Sequence, residues 1–158
     1  MGRIHAASWF QLGYGERIKY VVGKNPRGTV EWAPYATFVT DLDIVLRDAE
    51  VDTISVCTPT STHSDIAIRA LRVGKNVLLE KPIALTLNDA LAIHAAAESS
   101  SGILMLAHVI RFDAGNERVL SEVAAGTIGT PLSGRCRRMV SKPANANWWF
   151  NVNESGGV

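Results

Sequence analysis

Four short apolar runs constrain this chain more than any other feature: residues 18–22, 53–57, 76–79 and 103–106. Each is rich in β-branched residues or leucine and shows little polar alternation. A strand with one solvated face alternates apolar with polar residues, whereas a strand covered on both faces has no reason to. The runs therefore read as parallel strands, and parallel strands need a long crossover between them.

The intervening segments supply crossovers with legible ends. Residues 61–73 open in a Ser/Thr cluster, carry Ile66, Ala67, Ala70 and Leu71 on one face, and stop at Gly74. Thr86 starts a second helix, with Asp89 three residues on as a capping-box-like pair. Residues 113–125 form a third, with Val119, Leu120 and Val123 as its stripe and Gly126 as its stop. Strands separated by helices of this length predict βαβ units and an α/β, doubly wound parallel sheet. After Pro131 the character changes. Residues 132–140 read as a longer, more polar strand, and residues 141–158 as irregular, aromatic and glycine-tipped. The division expected is residues 1–130 as one domain and 131–158 as the beginning of a second, α+β one.

Bulk properties narrow the function classes. The chain has 158 residues, nearly half hydrophobic, and a net charge of +1, which argues against nucleic acid or an anionic membrane as the main partner. No apolar run approaches the roughly 18 residues of a membrane span. Cys57 and Cys136 are too few and too far apart for a disulfide or zinc framework, so no metal is expected and a reducing, cytoplasmic setting is.

Three stretches carry the chemistry. Cys57-Thr58-Pro59-Thr60-Ser61-Thr62-His63 joins a strand's C-terminal end to a helix start. In open α/β sheets ligands bind at those ends, and helix N-terminal amides favour anions. The same letters also make a hydroxyl-rich helix cap with a proline turn. Glu80-Lys81-Pro82 follows the strand at 76–79 directly. A lysine there can hold a substrate hydroxyl and favour loss of its proton, with Glu80 orienting the ammonium; a solvated ion pair is the plainer alternative. His108 and Arg111-Phe112 follow the strand at 103–106, at the same edge.

Taken together, Thr58-Pro59 with His63, then Gly74-Lys75-Asn76-Val77 running into Glu80-Lys81-Pro82, resembles the glucose–fructose oxidoreductase/inositol dehydrogenase (Gfo/Idh/MocA) family. Arg111-Phe112, Gly126-Thr127-Ile128-Gly129 and Trp149 through Gly157 follow in the family's order. The resemblance implies a Rossmann-like domain that binds NAD or NADP and oxidises a sugar or cyclitol hydroxyl. It implies that Thr58, Pro59 and His63 line the cofactor cleft and that Glu80 and Lys81 lie near the nicotinamide. Lys81 is thereby the catalytic candidate. Arg111 is implied at the cofactor and substrate edge, and Trp149 in the region closing over the nicotinamide. Thr58, Lys81 and Arg111 are expected on one rim. The family's second domain is where its members associate, so a homo-oligomer is implied for the full-length form.

The pattern is also incomplete against the family's. Met1-Gly2-Arg3-Ile4-His5 resembles the tail of a Gly-x-Gly-x-x-Gly turn, with Gly2 as its last glycine, Ile4 beside it, and His5 as the histidine that often follows. The first strand and the family's Asp-x-x-x-His motif have no counterpart here, so a chain cut at both ends, inactive alone, is expected. In the usual strand order the first strand is central, and without it two inner edges face each other unpaired. The second strand runs into Gly23-Lys24-Asn25-Pro26-Arg27, with no carboxylate for a ribose hydroxyl, which leans towards NADP held by Lys24 or Arg27. An NAD-dependent glycosidase and a non-catalytic dinucleotide-binding regulator share this pattern and stand as alternatives.

Overall fold

The structure is a computed structural model that describes residues 1–25, 29–137 and 150–156. Two compact units are present, Met1–Ala107 with Trp148–Val158, and His108–Asn147. The first contains, in order, α1 (Gly2–Gln11), β1 (Tyr20–Val22), α2 (Thr29–Trp32), β2 (Thr37–Val39), α3 (Leu42–Arg47) and β3 (Thr53–Val56). It continues with α4 (His63–Arg72), β4 (Asn76–Leu79), α5 (Leu87–Glu98) and β5 (Leu104–Leu106). The second unit holds α6 (Ala114–Ala124), and α7 (Val152–Ser155) returns to the first.

Among the described residues every strand pair is parallel, as the unalternating runs require. β1 pairs with β2, and β3–β4–β5 form a separate three-stranded sheet. Among the described residues no strand lies between β1 and β3. A cleft of about 840 Å³ occupies that place, lined by Tyr20 and Val22 of β1 and by Thr53 and Ser55 of β3. The sheet is thus divided where a central strand was expected to be wanting, and Thr53 and Ser55 of β3 are exposed.

The core sits between the larger sheet and its helices. Leu71 and Ala67 of α4, Val77 and Leu79 of β4 and Ile93 of α5 are essentially inaccessible. Helix α4 ends as its glycine implied. Gly74 is left-handed, its N–H bonds Leu71 O at 2.9 Å, and the Lys75 N–H bonds Ala70 O at 3.0 Å. Gly102 is fixed by space instead, because a Cβ there would stand 2.2 Å from Lys75 O. Thr86 caps α5 by accepting the Asp89 N–H, and Asp113 caps α6 in the same way through Gly115 and Asn116.

Three expectations are corrected. The segment expected as a strand over 132–140 has no regular structure in its described part, Leu132 being 94% exposed. A strand needs a neighbour for its N–H and C=O groups, and no described strand pairs with it. The stripe on α6 covers no core: Val119 and Leu120 are exposed. The first strand is also shorter than the run at 18–22, because Gly15–Arg17 form a 3-10 turn just before it. No helix among the described residues is long and apolar enough to cross a membrane.

Polar groups clasp the two sheets at the N-terminal ends of their strands. The Lys19 ammonium pairs with Asp48 at 2.7 Å and with Glu50, and the Tyr20 hydroxyl donates to Asp48 at 2.8 Å. Behind them, the buried Lys75 ammonium donates to Asp48 O and Val51 O at 2.7 and 2.6 Å. The Lys19 hydrogen bond, with help from the Glu50 amide and Tyr20, holds the Asp48 carboxyl at about 2 against an ordinary 3.8. A carboxyl depressed by folding adds stability that is present above its unfolded value and lost as pH falls through the folded one. Asp48→Asn should therefore flatten the loss of stability between pH 3.8 and about 2, followed as urea midpoints. Parallel profiles for variant and parent would show that Asp48 does not supply this linkage.

Candidate active site

Parallel strands that end level carry their following residues to one edge. Val56 of β3 is in register with Leu79 of β4, and the ladder continues one step as Glu80 N–H bonds Val56 O at 3.0 Å. Thr58 and Lys81 each stand two residues beyond that last pair, so the two loops leave the sheet side by side.

The loop after β3 is built by hydroxyls and a proline. The Thr62 hydroxyl reaches back to the Thr58 hydroxyl at 2.7 Å and to Pro59 O at 2.8 Å, closing a 3-10 turn over Thr60–Thr62 ahead of α4. His63, at the first position of α4, is 1% exposed. Its Nε2 faces Thr58 O at 3.0 Å and its Nδ1 faces Pro82 O at 2.9 Å. The imidazole therefore ties the β3 loop to the β4 loop. Helix α7 packs on the Thr60–Thr62 turn, and its Ser155 is buried.

The loop after β4 holds a buried acid. Glu80 is 4% exposed, and both of its oxygens are engaged. Oε1 lies 3.0 Å from His5 Nε2, and Oε2 accepts the Lys81 N–H at 3.1 Å. His5 Nδ1 lies 3.0 Å from Ser55 Oγ. Lys81 itself is exposed, and the Lys81–Pro82 peptide is cis.

Helix α1 brings its N-terminus to this edge. No side chain caps it, and a Cβ at Gly2 would meet Cys57 Cβ, just past β3, at an ordinary 3.9 Å. Helix N-terminal amides and the positive end of the helix dipole favour anionic groups such as a pyrophosphate. Burial pushes the Cys57 thiol up to about 11, so it stands here as an uncharged packing group and not as a nucleophile. The arrangement is an uncapped helix end, a polar loop and an exposed lysine at the carboxyl edge of a parallel sheet. That layout suits a dinucleotide phosphate and a polar substrate. Among the described residues no group of three or more His, Cys, Asp or Glu is placed to hold a metal.

The family model for oxidoreductases with an NAD-binding Rossmann fold (Gfo/Idh/MocA) matches residues 1–108. The chain belongs to this family. It is 33% identical over 150 residues to 1,5-anhydro-D-fructose reductase of Ensifer adhaerens, covering 90% of this chain and 44% of that protein. It is 32% identical over 116 residues to scyllo-inositol 2-dehydrogenase (NAD(+)) of Bacillus subtilis, covering 72% of this chain and 32% of that one. The crystal structure of an oxidoreductase domain protein from Kribbella flavida superposes with a TM-score of 0.78 at 26% identity, over 99% of this chain and 46% of that one. The chain thus spans less than half the length of these relatives.

Within this Gfo/Idh/MocA domain the residues singled out from sequence fall into distinct places. Thr58, Pro59, His63, Glu80 and Lys81 are gathered at one edge, with Gly2 close by on α1. His63 is enclosed, so from this position it shapes the cleft through the two loops it joins. Ile4 is 60% exposed on α1, and Lys24 is exposed two residues past β1. Arg111 lies in the 3-10 turn Val109–Phe112 of the other unit, exposed. Trp149 and Arg27 lie outside the described residues. His94 is exposed on α5.

Sequence reasoning did not assign His5 and Ser55 to the site. The only signal for His5 was its place behind Gly2, and Ser55 sits in a strand whose partners no local pattern reveals. His63→Leu keeps the bulk and removes the tie, leaving one carbonyl, Thr58 O or Pro82 O, without the single N–H that a neutral ring donates. The loss should be roughly 1–3 kcal/mol for the acceptor left unpaired, read by chemical denaturation. A variant as stable as the parent would mean that water replaces the ring at no cost.

Proposed function

We propose that the full-length protein is an NAD(P)-dependent oxidoreductase acting on a hydroxyl of a sugar or cyclitol. In this reading residues 1–130 serve as dinucleotide-binding part and residues 131–158 begin the substrate domain. The observation that carries it is the contact of His5 with Glu80, which sets the first turns of α1 against the strand end that bears Lys81. An anion-binding helix end and a substrate-facing ammonium then share one edge, as a bound dinucleotide and its reaction partner require. The relatives named for a sugar reductase and an inositol dehydrogenase support the substrate class.

Nicotinamide, when bound, supplies the hydride acceptor or donor. The chain's own residues do the rest. The α1 N-terminus, with Gly2 leaving room for close approach, would take the pyrophosphate. Thr58 and Pro59 would border the cofactor from the β3 loop. Lys81 would donate a hydrogen bond to the reacting hydroxyl, fix its orientation and favour its alkoxide by charge. Glu80, too enclosed to meet solvent, holds the Lys81 backbone in place. Arg111 and Trp149 are candidates for cofactor contact on the family resemblance alone.

Lys24 supports NADP as the preferred form. It follows β1 at the position where an acid would bind the ribose hydroxyls of NAD, and a cation there suits a 2′-phosphate. Lys24→Glu should shift the ratio of NADPH to NADH affinity towards NADH by about tenfold, the scale of one charged contact. An unchanged ratio in fluorescence titrations would remove the NADP assignment.

For the reaction itself, Lys81→Met in the protein extended to its relatives' length should lower kcat by roughly 10²–10⁴ while dinucleotide affinity holds within a few-fold. Polyol-dependent NAD(P)H formation that survives Lys81→Met would overturn the role given to this lysine. Release of aglycone from aryl glycosides without net oxidation would favour the glycosidase alternative.

A further inference from the structure

The structure assigns His5 a further role: it is a positioning residue, the hub of a hydrogen-bond relay from Ser55 through Glu80 to the backbone of Lys81. This rests on the reading of Lys81 as the substrate-facing residue. It adds a residue on another helix that sets where Lys81 stands.

The geometry fixes a direction for the relay. An ionised carboxylate can only accept, so the contact between His5 Nε2 and Glu80 Oε1 at 3.0 Å needs the proton on Nε2. In the neutral ring Nδ1 is then an acceptor, and the Ser55 hydroxyl 3.0 Å away donates to it. Glu80 passes the constraint on, since its second oxygen accepts the Lys81 N–H at 3.1 Å. The chain of contacts runs Ser55 O–H to Nδ1, Nε2–H to Oε1, and Lys81 N–H to Oε2. It links a residue of β3, one of α1 and the end of β4.

Burial makes the relay matter. The side chains of His5 and Glu80 are 11% and 6% exposed, so water cannot readily replace either partner. A buried carboxylate deprived of a donor is costly, and the cheapest escape is rotation of Glu80 towards solvent. That rotation would release the Lys81 N–H and with it the backbone from which the lysine projects. His5 thus acts on the lysine without approaching the substrate.

The test uses the chain as it is, isotopically labelled. In the parent, long-range proton–nitrogen NMR of His5 should show a proton on Nε2; a ring protonated only on Nδ1 would overturn the relay. His5→Phe should move the Lys81 amide proton upfield as its carboxylate acceptor turns away, and His5→Gln, which restores a donor near the Nε2 position, should return it towards the parent. An amide that stays in place in His5→Phe, or one that His5→Gln fails to recover, would also overturn it. Should His5→Phe not fold, Ser55→Ala gives a milder arm. It should leave the proton on Nε2 while broadening or shifting the ring signals, and an unaffected ring would contradict the Ser55 contact. NADPH titration of the parent is the separate control. No binding, alongside an intact relay, would count against the oxidoreductase reading and leave the positioning of Lys81 standing.

Discussion

Parallel pairing of β3 with β4, in a register that ends both strands level, is the constraint on which the site depends. Antiparallel neighbours would send the residues after Val56 and Leu79 to opposite ends of the sheet. Because these two run the same way, the Thr58 loop and the Lys81 loop emerge together. The crossover that makes parallel pairing possible is α4, and α4 begins with the histidine that joins the two loops. The element that sets the topology thus also supplies the bond that fixes the site.

The opposite end of the sheet is organised differently. There the groups are Lys19, Tyr20, Asp48 and Lys75, and each is spent on another member or on a backbone carbonyl. Lys75 is buried and Lys81, six positions along the chain, is exposed, although both adjoin the same strand. The difference follows from strand direction. At the amino ends of the strands the connections return from helices and crowd the lysine with the Asp48 and Val51 carbonyls. At the carboxyl ends they depart towards helix N-termini and leave an open edge. One strand therefore has an enclosed lysine at its start and a solvent-exposed one beyond its end.

Much of this was legible in the letters. The apolar runs at 53–57 and 76–79 located β3 and β4, Gly74 located the end of α4, and Thr86 with Asp89 located the cap of α5. Those signals are local, each a matter of periodicity or of a few backbone groups needing partners. The short β2, with only Thr37–Val39, and α3, with six residues, carried too little pattern to stand out. The expected strand after Pro131 failed for the converse reason: its alternation was visible, but a strand exists only with a neighbour, which local pattern cannot supply. At the site, Glu80 and Lys81 were legible because charge after an apolar strand is conspicuous. Their connection to His5 spans 75 positions and was not.

The divided sheet bears on how the site keeps its shape. With β1 and β3 facing each other across a cleft, no strand-to-strand ladder joins the two sheets among the described residues. At one end the Lys19–Asp48 clasp spans the division. At the other, α1 lies against β3 and reaches β4 through His5 and Glu80. A polar contact holds position well only where water is excluded. The His5–Glu80 pair is enclosed, whereas Lys19 is half-exposed and Glu50 is largely open to solvent. Rigidity is therefore concentrated at the carboxyl edge, beside Lys81, and not at the clasp. On the proposed oxidoreductase reading, that stiffness lies where a substrate hydroxyl would be held against the nicotinamide.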